Sequence, residues 1–142
     1  MRSGDINWQK TEEDMDRDGF VRLPNLLDAG QCRRVINGFE EDRRYRRHIV
    51  MQRHGYGQGE YKYFDYPLPE LVAELREEFY APLADIANRW AEKLATGQRF
   101  PETLGEYTAQ CHAAGQVKPT PLILKYGEGD YNRLHQDLYG EL

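Results

Sequence analysis

The stretch LKYGEGDYNRLHQD, Leu124 to Asp137, decides how the rest of the chain is read. Apolar and polar residues alternate on both sides of the Gly127 to Gly129 segment, so PLILKY and YNRLHQDLYG are expected to be two strands around a turn. Side chains two residues apart on a strand point the same way, which would place His135 and Asp137 on one face and within reach of one ion. Four histidines and ten aspartates in 142 residues give about 0.3 His-x-Asp triplets by chance (4 × 10/142). The triplet alone therefore means little, and its strand setting carries the argument.

A neutral imidazole with a carboxylate suits a divalent transition metal. A second histidine would complete a two-histidine, one-carboxylate facial triad, the Fe(II) arrangement that leaves three positions open for a bidentate cosubstrate and dioxygen.

Upstream the period changes. From Glu70, the residues Leu71, Leu75, Phe79, Leu83, Ile86, Trp90 and Leu94 recur every three or four positions, so this is helix on pattern. Pro82 should kink it or begin a second helix, and Gly97 should end it. A further helix is expected over Leu104 to Ala113. TEED at Thr11 to Asp14 resembles an N-cap with acids in the first turn, closed by Gly19. Asp28 can cap a second helix with Cys32, Val35, Ile36 and Phe39 on one face. FVRLP (20–24) and HIVMQ (48–52) read as short strands, and GYGQG (55–59) as a flexible loop before the aromatic segment YKYFDYP (61–67). The expected class is α+β in one domain over 1–142, with 1–117 mainly helical support carrying short strands and 118–142 the first strands of the core sheet.

Composition bounds the function. Leu, Ile, Val and Phe supply 29 of 142 residues and mean hydropathy is -0.85, so either the ten tyrosines and two tryptophans carry much of the core or part of a partner surface lies elsewhere. No apolar run approaches 18 residues and no basic-then-apolar leader opens the chain, so a cytoplasmic protein that neither spans a membrane nor is secreted is expected. Cys32 and Cys111, far apart and outside any C-x-x-C, are expected to be buried thiols of a reducing compartment.

A net charge of -5 argues against coating nucleic acid by charge alone. The distribution is uneven, however: RRYRRHIVMQRH, Arg43 to His54, holds five arginines and no acid, whereas TEEDMDRD and FEED are acidic. Two readings stand for this strip, a contact with an anionic partner such as a phosphate backbone, centred on Arg46 and Arg47, and a solvated face balanced by nearby carboxylates.

The opening stretch resembles the AlkB-type signature, in which a strand tyrosine, a glycine-containing turn and LHQD follow one another with the tyrosine nine residues before the histidine. Tyr126 and His135 keep that spacing. YKYFDYPLPELVAELR, CHAAGQ, PTPLILKYGEGDYN and LHQDLYGE are similar to a bacterial family of 2-oxoglutarate/Fe(II) oxygenases acting oxidatively on alkylated DNA, and the resemblance runs from about Asp18 to the last residue.

The resemblance implies a double-stranded β-helix of the jelly-roll or cupin kind, here partial and ending before the barrel closes, with N-terminal helices packed on it. It implies Fe(II) held by His135 and Asp137, and 2-oxoglutarate contacted by Tyr126. It also implies dioxygen as co-reactant and alkylated DNA as partner, with oxidative decarboxylation of 2-oxoglutarate coupled to hydroxylation of an alkyl C–H bond. Leu124 stands where the AlkB signature has Asn, so one polar contact to the cosubstrate has no counterpart. The second histidine and the cosubstrate's arginine are expected beyond Leu142, so residues 1–142 alone are not expected to turn over 2-oxoglutarate. Should an upstream histidine substitute, His112 is the first candidate, ahead of His48 and His54.

Other assignments stay open between two readings. Tyr61 and Tyr63 share a strand face by alternation and could stack an extruded base or pack in the core. Arg133 shares the expected face of His135 and either orients substrate or cosubstrate or makes a solvent salt bridge. No general acid or base is assigned. Two rival functions remain, a same-fold hydroxylase of a small molecule or protein side chain and a catalytically incomplete fragment.

Overall fold

The structure, a computed structural model of the chain, describes residues 3–135, which form two compact units. Its elements are α1 (Trp8–Asp18), α2 (Ala29–Gly38), β1 (Tyr45–Val50), β2 (Gly57–Gln58), β3 (Glu60–Phe64), α3 (Glu70–Leu94), α4 (Leu104–Ala113), β4 (Leu122–Lys125) and β5 (Tyr131–Asn132). The α+β class holds. No barrel closes among the described residues.

The first unit, residues 1–33 and 70–110, is helical. Helix α1 begins earlier than TEED suggests, because the Asn7 side chain, three residues before the Lys10 N–H, takes up that donor at 3.0 Å. Gly19 closes the helix in the left-handed conformation, as expected, with φ +79°. The acidic face of α1 is not simply solvated. Glu12 accepts two bonds from Arg89 at 2.6 Å, and Asp16 accepts from Trp90 Nε1 at 2.6 Å and Lys93 Nζ at 2.7 Å. Trp8, one turn before Glu12, meets Phe79 edge to face at 5.7 Å. These hydrogen bonds hold the Glu12 carboxyl (Arg89 foremost) and the Asp16 carboxyl (Lys93 foremost) below the usual carboxylate range.

One helix of 25 residues runs through Pro82, so the proline neither starts a second helix nor stops the first. It ends before Gly97, because Ala95 takes the left-handed conformation (φ +52°) while Ala95 and Thr96 donate back to Glu92 and Ala91. Helix α4 has the expected bounds; Thr103 and Glu106 cap its start reciprocally. Helix α2 starts with the same device, Asp28 and Gln31 exchanging bonds of 2.8 and 2.7 Å. Its expected apolar face is not a core face, since Cys32 and Ile36 are exposed and only Phe39 just beyond it is buried. Cys32 is thus not a buried thiol, and Cys111 is half-buried. FVRLP forms no strand: among the described residues nothing pairs with it, and Phe20 is exposed.

The second unit, residues 34–69 and 111–142, carries both sheets. An antiparallel sheet has the order β1-β3-β4, and a two-stranded sheet joins β2 to β5. Three strands therefore precede the long helix, two of them in the three-stranded sheet, so the sheet begins well before the 118–142 segment expected to open it. GYGQG is ordered by β2 rather than a free loop. The strand expected over YNRLHQD stops at Asn132, and Arg133 to His135 lie outside it.

Alternation along β3 separates two faces. Lys62 and Phe64 are buried on one, where the Phe64 ring lies 5.0 Å from Tyr45 and Tyr45 lies 6.2 Å from Phe39. Burial of Lys62 is tolerated because Nζ donates to the Phe39 carbonyl and to Asp42, both at 2.9 Å, and sits over the Phe39 ring. Tyr61 and Tyr63 occupy the opposite face.

Candidate functional site

That opposite face forms one wall of a cavity of about 820 Å³, within the range of small-ligand sites (roughly 300–1,000 Å³). Antiparallel register sets Tyr61 against Leu124 and Tyr63 against Leu122, so two aromatic and two aliphatic side chains line it together. Tyr61 and Tyr63 meet edge to face at 5.7 Å. Met51 and Tyr56 line it from the segment between β1 and β2, and Asn132 to His135 from the chain leaving β5.

Two glycines let those segments meet. A side chain on Gly57 would place its Cβ 2.2 Å from the Tyr131 carbonyl oxygen, and one on Gly59 would lie 2.8 Å from Tyr126 Cδ1. The bare backbone at Gly57 allows β2 to pair with β5, and Arg133 N–H extends the ladder to the Tyr56 carbonyl at 2.9 Å. Upstream, Gly127 to Asp130 turn the chain: Asp130 N–H donates to Gly127 O, and Gly129 takes φ +82°. The turn does not join a hairpin. Strand β4 pairs with β3 and β5 with β2.

The structure brings four of the expected site residues to one cavity: Tyr61, Tyr63, Arg133 and His135. His135 Nδ1 donates to the Arg133 carbonyl at 2.7 Å, and since a carbonyl only accepts, a neutral ring carries its lone pair on Nε2. Asp137 lies outside the described residues. Tyr126 is half-exposed against Gly59 and does not line the cavity. Leu124, noted only as a departure from the AlkB signature, is part of the apolar wall. Tyr56 joins the lining although its position between Gly55 and Gly57 predicts only a flexible loop.

The basic strip divides into distinct roles. Arg44 forms two bonds with Glu41 at 2.7 and 2.8 Å, and Arg43 lies 3.6 Å from the same carboxylate. Arg46 is half-buried, donating Nε–H to the Pro119 carbonyl at 3.0 Å with its guanidinium carbon 4.5 Å from the Tyr63 ring centre. Arg47 and Arg53 are exposed, and among the described residues no carboxylate pairs with either. Both flank elements of the cavity: Arg47 is the β1 partner of Tyr63, and Arg53 follows Met51 by two residues.

On the reverse face the FEED acids are occupied. The Lys125 ammonium, bonded to Glu40, pulls that carboxyl down, and Lys62 does the same to Asp42. Burial pushes the Tyr45 phenol up. His48 bonds Glu60 there, and His54 stacks on Tyr56 at 5.4 Å.

As a metal donor set this is partial. The His135 imidazole suits iron in type and tautomer, but among the described residues no three His, Cys, Asp or Glu side chains come together, and His112 is in no such group.

Among the described residues, no helix is long and apolar enough to cross a membrane. No solved structure matches the chain. Two curated relatives from Mycobacterium tuberculosis match, "Uncharacterized protein MT2286" of strain CDC 1551 / Oshkosh and "Uncharacterized protein Rv2227" of strain ATCC 25618 / H37Rv. Each is 47% identical over 79 residues, which is 56% of this chain and 34% of the relative. The chain thus spans about a third of the length of the curated relatives it matches. A family described as "Oxygenase, catalysing oxidative methylation of damaged DNA" matches residues 59–142. That segment begins at the glycine supporting Tyr126 and takes in β3, β4, β5 and His135, and on this match over more than half its length the chain belongs to that oxygenase family.

Proposed function

We propose that the chain forms the substrate-facing wall and part of the iron site of a 2-oxoglutarate- and Fe(II)-dependent dioxygenase that removes alkyl groups from damaged DNA bases. One observation carries the reading: an aromatic-walled cavity with His135 in its lining lies beside two arginines without carboxylate partners among the described residues. Tyr61 and Tyr63 offer ring faces to an extruded base, and Arg47 and Arg53 offer charge to its flanking phosphates.

In this reading His135 and Asp137 are the iron ligands from this chain, Tyr126 and Arg133 serve the cosubstrate, and the remaining ligand comes from outside the described residues. Iron would supply dioxygen activation and a template for 2-oxoglutarate. In the overall balance, one oxygen atom of dioxygen enters succinate as 2-oxoglutarate loses CO2, and the other enters the alkyl C–H bond. An N-hydroxymethyl product then releases formaldehyde, leaving the base N–H. The protein's own part is to hold the base against Tyr61 and Tyr63, to exclude water with the Leu122 and Leu124 wall, and to keep His135 in one tautomer through the Arg133 carbonyl.

The test is succinate and formaldehyde release by the full-length protein on methylated and unmethylated oligonucleotides. Release of both products on the methylated strand, abolished by His135→Ala, is expected. Succinate coupled to hydroxylation of a small molecule, with no response to either oligonucleotide, would replace this reading by the small-molecule hydroxylase, which the cavity volume also accommodates.

A further inference from the structure

We infer that Arg46 is a positioning residue that fixes the Tyr63 ring in the cavity wall, rather than a phosphate contact. The inference rests on the proposed reading only for what the wall receives. Strand β1 changes register between Tyr45 and Arg47, so Arg46 is the extra residue of a bulge, a device that re-aims one side chain. Its guanidinium lies over the Tyr63 ring at 4.5 Å while Nε–H is held by the carbonyl of buried Pro119. Stacking and the hydrogen bond fix the same planar group, tying the ring to the segment that leads into β4. Tyr61 braces Tyr63 edge-on at 5.7 Å.

A ring held in this way loses little freedom when a flat ligand stacks on it, so its contribution is to discrimination among ligands rather than to charge. Lysine cannot substitute. Its ammonium is a point charge without the planar surface or the directed Nε–H. Arg47, the next residue, makes neither of these contacts and stands exposed at the strand surface. Neighbouring arginines thus have different tasks.

The experiment uses the full-length protein with 3-fluorotyrosine, the Tyr63 resonance being assigned with Tyr63→Phe. Arg46→Ala, Arg46→Lys and Arg47→Ala are compared in that resonance and in affinity for methylated against unmethylated oligonucleotide over a salt series. Arg46→Ala and Arg46→Lys are both expected to move or broaden the Tyr63 resonance and to reduce the methylated-to-unmethylated affinity ratio by about threefold to tenfold, leaving the salt slope in place. Arg47→Ala is expected to leave the resonance unchanged and to flatten the salt slope by about 0.9.

An unmoved resonance in Arg46→Lys, which keeps the charge and the aliphatic stem, overturns the inference. So does a salt slope flattened by about 0.9 with the affinity ratio intact, which is the signature of a phosphate contact. Should the unsubstituted protein bind neither oligonucleotide, the DNA reading fails, and the fluorine resonance alone decides the role of Arg46.

Discussion

Gly57→Ala tests whether the β2–β5 ladder sets the position of the His135 segment. The added Cβ would sit 2.2 Å from the Tyr131 carbonyl oxygen and 3.1 Å from Asn132 Cα, both backbone atoms that cannot swing aside. Gly57 also has φ +131°, a conformation that costs a non-glycine residue about 1–3 kcal/mol. Relief of the overlap requires β2 and β5 to part, with loss of the ladder and of the Arg133 N–H bond to Tyr56. At about 0.5–1.5 kcal/mol for each backbone bond, two or three bonds bring the expected destabilisation to about 2–7 kcal/mol. Gly19→Ala is the reference, because φ is +79° there but nothing lies within 4 Å of the added carbon; its cost should be about 1 kcal/mol. Urea denaturation gives the two free energies, and native-state amide exchange at Asn132 and Arg133 shows whether opening is local to the ladder. Equal costs for the two substitutions, with exchange at Arg133 unchanged, would refute the claim that the glycine holds these strands together.

Arg47→Ala with Arg53→Ala removes two charges that lack carboxylate partners among the described residues, so the salt slope of DNA binding should flatten by about 1.8, against little change for Arg43→Ala beside Glu41; equal effects from all three would exclude a divided strip. The lowered carboxyl pKa values of Glu12 and Asp16 mean that the folded protein holds fewer protons there than the unfolded chain. Their contribution is complete above the ordinary carboxylate range, about pH 4, and is lost as pH falls through the lowered folded values. Asp16→Asn should flatten the acid limb of a stability-against-pH profile measured by denaturant midpoint. Gly59→Ala, at φ +125° and with its added carbon 2.8 Å from Tyr126 Cδ1 and 3.2 Å from the Lys125 carbonyl oxygen, should cost less stability than Gly57→Ala, whose added carbon meets backbone at 2.2 Å, and, under the proposed function, should weaken 2-oxoglutarate binding in calorimetry.

What could be read from the sequence was what neighbouring residues decide among themselves. The reciprocal Asp28–Gln31 and Thr103–Glu106 caps are three-residue events, and α4 has the expected bounds. The period of two in YKYF puts Tyr61 and Tyr63 on one face whatever lies opposite. The same local logic failed where a competing local group was overlooked, as with Asn7 ahead of TEED and Ala95 ahead of Gly97. Strand partnership is different, because it depends on which distant backbone can approach. FVRLP has strand composition and no partner strand among the described residues, whereas GYGQG has loop composition and pairs with β5 because Gly57 carries no side chain. Only the tertiary structure, therefore, decided that β4 lies beside β3, putting Leu122 and Leu124 next to the tyrosines and His135 in the same cavity. It also separated the arginines, which look alike in RRYRR: Glu41 takes Arg43 and Arg44, a bulge and the Pro119 carbonyl take Arg46, and Arg47 is left exposed, since the charge of a side chain is local but its partners are not.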